Sequence, residues 1–229
     1  MSSDDHMQPL FNTLPPVVVG LALAIFGVEL LISAGARGYL GGAQAVGWRL
    51  EAIREFAFFG QLLDIIVERQ AWTSTELRRF VTYPFVHLGF THMIFVIVFL
   101  LALGKLVGEV FGNIAVLTVF FASAIFGALI YAGLTGDARP LVGGYPGVYG
   151  LIGAYTFLLW VSYGATGENQ YRAFTLIGFL MGIQLIFGVL FGATNDWVAE
   201  VAGFVAGFAI SPILAPGGFG RLLSRLRQR

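Results

Sequence analysis

The chain has 229 residues, 57% of them hydrophobic and only 11% charged, about half the ~25% of an ordinary soluble domain. So little polar surface excludes a disordered chain and a soluble enzyme, and a net charge of +0 leaves no field to draw the molecule to nucleic acid. Cysteine is absent, which removes disulfides and thiolate chemistry, and three histidines (His6, His87, His92) are too few for a multi-histidine metal centre. The composition is that of an integral membrane protein.

Residues 1–13 carry Asp4 and Asp5 where a secretory signal would be basic, so they read as a cytoplasmic segment. Residues 14–214 read as one membrane domain. A bilayer span needs about 20 mostly apolar residues. Leu14–Ala34, Phe90–Val110, Ile114–Leu134, Val148–Tyr163, Tyr171–Phe191 and Trp197–Leu214 meet or approach that length. The fourth is short and glycine-rich at its start, which requires that start to be buried among helices or to face water. Residues 35–89 form a long first loop. Within it, residues 47–70 mix apolar and charged positions and predict an amphipathic interfacial helix, a small extramembrane domain being the alternative. Thr73 and Glu76 then spell a capping box that opens a second short helix. Residues 215–229 are a basic tail with Arg221, Arg225, Arg227 and Arg229. Together with Lys105 and Arg172 they outweigh Arg139, because the arginines of the first loop are interleaved with acids. Both termini are expected in the cytoplasm, in a bacterial inner membrane.

Helices in lipid pack through small residues. Gly104, Gly108 and Gly112 recur at four-residue spacing in the second span, Gly150 and Ala154 in the fourth, and Ala199, Gly203 and Gly207 in the sixth. The pattern predicts a compact bundle whose fourth and sixth helices approach closely. Polar groups at membrane depth are costly and therefore informative. Glu29, His87, His92, Tyr145, Tyr149, Tyr155, Gln184 and Glu200 are the notable ones. They predict a polar pocket near the outer leaflet between the second, fourth and sixth helices, unless each is simply satisfied by its neighbours.

With those residues in place, the chain resembles the rhomboid family of intramembrane serine proteases from Trp48 to Gly207. Trp48-Arg49 is similar to the family's first-loop pair, and Phe85-Val86-His87 with His92 to its second-helix signature. Gly150 to Ala154, including Gly153, is similar to the fourth helix just beyond the family's serine motif. Ala199 to Gly203, with Gly207 four residues later, is similar to its sixth-helix motif. The resemblance implies an all-α, six-helix rhomboid-like bundle with a long, partly helical first loop.

It also implies a serine nucleophile on the fourth helix, activated by a histidine on the sixth, with donors for the oxyanion. The matching positions depart. The serine position falls on Tyr145 when the alignment is anchored on Gly150, or on Pro146 when it is anchored on Gly143-Gly144. The histidine position is Glu200 and the oxyanion asparagine position is Val96, while His92 is kept. A phenol holds its proton to about pH 10, a proline has no N–H to give, and a valine donates nothing. The expectation is a catalytically degenerate, non-enzymatic member, with Tyr145 and Glu200 hydrogen-bonded as a structural latch. Such a protein would bind transmembrane clients or serve as an accessory or assembly subunit of a membrane complex. It would contact membrane lipid, need no metal or cofactor, and bind no nucleic acid. An active endopeptidase with an unconventional site and a small-solute pathway are the alternatives.

Overall fold

In the structure, a computed structural model, residues 13–68, 70, 72–136, 139–191 and 194–216 are described. Six helices are long and apolar enough to cross a membrane. Helix α1 (Pro16–Ala36) starts on Pro15 and Pro16, placed where a helix has no use for the missing N–H groups. Past the first loop come α5 (Phe90–Phe111), α6 (Asn113–Thr135), α7 (Tyr145–Thr166), α8 (Thr175–Phe191) and α9 (Asp196–Leu214). The second and third spans turn on one residue: Gly112, at φ +86°, donates its N–H back to the Gly108 carbonyl at 2.9 Å. A left-handed φ of this kind favours glycine. Gly112 is thus a corner, and only Gly104 and Gly108 of its trio pack, against Val18 and Pro15 at the start of α1.

The core is built from α1, α5, α6 and α7, with Val18, Ile25, Met93, Leu100, Phe120 and Ile152 fully buried. Helices α7 and α9 touch backbone to backbone. A side chain at Gly203 would strike the Pro146 carbonyl, and one at Gly207 the Gly150 carbonyl. One at Gly153 would strike the carbonyl of Phe204. The expected approach of the fourth and sixth helices is present, and its cause is the missing side chains. Helix α8 is the exception to this packing: among its described residues Ile177 alone is buried.

Two sequence expectations need correction. The interfacial helix expected over 47–70 is divided into α2 (Trp48–Phe56), strand β1 (Phe58–Phe59) and α3 (Leu62–Glu68). Phe58 causes the break, since its ring is fully buried, 4.8 Å from that of Phe80. Its backbone pairs antiparallel with Leu141 of β2 (Pro140–Leu141). The fourth span begins at Tyr145, three residues earlier than hydropathy placed it. Pro146 lies in the first turn, where it breaks no helical hydrogen bond. Helix α4 (Ser74–Thr82) does begin at the expected cap, Thr73 Oγ1 accepting from the Glu76 N–H at 3.4 Å. The Glu76 carboxylate, however, turns to Arg79 at 3.3 Å.

Candidate intramembrane site

A cavity of about 250 Å³ lies among four spans. Phe99 of α5 lines it, with Tyr145, Val148, Tyr149 and Ile152 of α7, Leu180, Ile183 and Gln184 of α8, and Glu200 of α9. The expected pocket is therefore present between the second, fourth and sixth helices, but the fifth closes it. Gln184 is legible in the sequence as a polar residue in an apolar span, but nothing there ties its helix to the pocket.

The groups inside are a carboxylate, an amide and two phenols. Glu200 is 5% exposed and accepts a hydrogen bond from Gln184 Nε2. The Tyr149 phenol lines the same cavity as that carboxylate. The expected latch between Tyr145 and Glu200 does not form. The two residues share the cavity, but the Tyr145 ring stacks on His92 with centroids 5.2 Å apart, and the hydrogen bond to Glu200 comes from Gln184. Of the two residues aligned with the family serine, Tyr145 lines the cavity. Pro146 is buried where α7 meets Gly127 of α6 and Gly203 of α9. Val96 is fully buried beneath Gly144 and brings no donor to the cavity.

The retained family positions build the wall beside the cavity. His92 Nδ1 accepts from the Leu88 N–H at 3.3 Å, and its ring lies edge-on to His87 with centroids 5.2 Å apart. Gly143, at φ +92°, leaves room for this ring: a Cβ there would stand 2.7 Å from His92 Cε1. Its N–H is held by the Tyr83 carbonyl at 3.0 Å. Burial pushes the Tyr83 phenol well above its usual range, and its O–H donates to the Ala124 carbonyl at 2.8 Å.

Trp48 and Arg49 act one layer further out. The Trp48 ring fills the space above Gly35 and Gly41. Arg49 donates to both oxygens of Glu29 at 2.7 and 3.1 Å, to Ser33 Oγ at 3.0 Å and to the His87 carbonyl at 2.6 Å. Glu29 is fully buried, and this guanidinium neutralises it. Removing one partner of such a buried pair typically costs about 3–5 kcal/mol, because the other charge is left without compensation. Arg49 thereby fastens α2 both to α1 and to the segment that leads into α5. Glu29 is a structural acid, and it does not line the cavity. Among the described residues no cluster of His, Asp and Glu is arranged to hold a metal ion.

Six apolar helices, four of them lining a cavity that holds a buried carboxyl group, define a polytopic integral membrane protein with a site at helix depth. The family model for the Rhomboid domain matches residues 74–217, and the chain belongs to the rhomboid family. It is 29% identical to Rhomboid-like protease 3 of Toxoplasma gondii over 61% of this chain and 52% of that protein. It is 25% identical to Rhomboid-like protease 1 of the same organism, over 64% of this chain and 48% of that protein. Identity to RHOMBOID-like protein 7 of Arabidopsis thaliana is 26%, over 66% of this chain and 45% of that protein. The chain spans about half the length of the curated relatives it matches.

These relatives overturn the expectation that the chain is not an enzyme. Two of them are named as proteases, and exchanges at the serine, histidine and asparagine positions do not establish inactivity.

Proposed function

We propose that this chain binds a single transmembrane segment of a client membrane protein at the cavity lined by Tyr145, Tyr149, Gln184 and Glu200. One observation carries this reading: a cavity with a buried carboxyl group at helix depth is closed on one side by a helix, α8, in which Ile177 alone is buried among the described residues. Without water there is no hydrophobic force between helices, so a wall with so little packing is the part of the bundle most readily displaced by another helix. Burial of the client's polar groups against the cavity then supplies the specificity.

The test uses the full chain in liposomes with a photoreactive side chain at Leu180. Single-span helices are expected to crosslink there far more than to the same group at Leu23, an exposed position on α1. Equal yields at the two positions would reject the proposal.

A second reading, favoured by the names of the relatives, is that the bound segment is cut. Glu200 would take a proton from water as that water adds to a peptide carbonyl, and the neighbouring amide and phenols would donate to the oxyanion. Fragments of the bound helix seen by mass spectrometry, and lost in Glu200→Gln, are the result this reading requires. For topology we place both termini in the cytoplasm of a bacterial inner membrane; protease protection of tags at the two ends reads this directly.

A further inference from the structure

We propose that the client helix recognised by this cavity carries a lysine or arginine about one turn inside the membrane boundary, bound by Glu200 and Gln184. The inference rests on the client-binding reading and names its chemistry. Among the described residues two buried acids stand in the spanning helices, Glu29 and Glu200, and the protein treats them differently. Glu29 receives a bidentate guanidinium from Arg49. Glu200 has a neutral donor, the Gln184 amide, and among the described residues neither Lys nor Arg lines its cavity. A further acid, Asp196, stands one turn earlier on the same helix.

The amide adds an independent observation. With its Nε2 engaged by Glu200, Gln184 Oε1 is buried and has no hydrogen-bond partner among the described residues. The cavity thus holds a buried carboxyl group with no cation among its lining residues, and an amide oxygen with no donor. A buried acceptor of this kind is costly until a donor reaches it. The ligand that complements it is donor-rich and positive.

Position fixes where on the client that group must lie. Glu200 is the fifth residue of α9, which places it about 6 Å below the helix start at 1.5 Å per residue. A Lys or Arg one turn into a client helix reaches this depth with its long stem along apolar surface. Isolated in lipid, that side chain is unfavourable; facing Glu200, it is compensated.

The experiment uses the full chain in lipid nanodiscs and three labelled host helices. One is all leucine, one carries a single lysine one turn from the end that aligns with the start of α9, and one carries that lysine at the middle. The first lysine host is expected to bind at least about tenfold more tightly than the others, the factor of one hydrogen bond to a charged group. Glu200→Gln is expected to remove most of this preference and Gln184→Leu part of it. Equal affinity for all three hosts would overturn the inference while leaving client binding intact. Absence of binding by any host would overturn client binding itself. Should Glu200→Gln not fold, the lysine-position series decides alone, because it alters only the host.

Discussion

Burial pushes the His87 imidazole down to about 4, and the neighbouring His92 ring adds to the effect. Its Nδ1 faces the Phe85 carbonyl at 3.3 Å and its Nε2 has no partner among the described residues, so the folded protein holds the ring neutral. Glu29 and Arg49 are the other charged groups acting on it, and their influences oppose. An unfolded chain takes up a proton near pH 6.5. The stabilisation is therefore complete above about pH 6.5 and drains away as the pH falls toward 4, a loss of about 3 kcal/mol. Unfolding in detergent between pH 7.5 and 4.5 should show this loss in the wild type and a smaller one in His87→Gln; equal pH slopes would refute it. At this scale the sequence identified which residues matter better than what they touch. Glu29, His87 and Glu200 all stood out as polar groups in apolar surroundings. Their partners, Arg49 for the first and Gln184 for the third, lie 20 and 16 residues away, a pairing only the fold decides.

Between elements, the tightest contact is the α7–α9 pair, held by glycines that face carbonyl groups. Backbone cannot give way as a side chain can. Gly207→Val should therefore cost stability at the top of the about 1–3 kcal/mol range for overpacking. Gly20→Val on α1, where a Cβ meets nothing within 4 Å, should be near neutral. Melting temperatures of the two variants in detergent check the contrast, and similar values would mean that the small residues are incidental. Small-residue spacing made this contact readable because close approach requires the absence of side chains, which a sequence displays directly. The same spacing misled at Gly112, whose φ of +86° serves a corner. The spans were legible from hydropathy, since each is long and apolar. The first loop was not, because Phe58 looks like one more apolar residue of an amphipathic helix. Its true role depends on β2, whose Leu141 pairs with it from far along the chain.

On the scale of the whole molecule, the bundle divides into a tightly packed body and one loosely held helix. The division was hidden in the sequence, because the fifth span is as apolar as the second and third. What separates it is how few of its residues the rest of the protein buries, 6% of the span against 28% and 50%. Segments with few buried contacts open at lower free energy than the rest of a structure. Helix α8 should therefore move relative to α7 while α9 does not. The chain contains no cysteine, so spin labels attach only where one is introduced. Val161 on α7, Val205 on α9 and Leu185 on α8 are all exposed and suit labelling. Pulsed electron-spin distances in nanodiscs should be narrowly distributed for the Val161–Val205 pair and broad for Val161–Leu185. A helix bound in the cavity adds the packing that α8 lacks, so saturating lysine-bearing host helix should narrow the second distribution and leave the first unchanged. Equal widths without host would show that α8 is as firmly seated as α9, and the client would then need another way in.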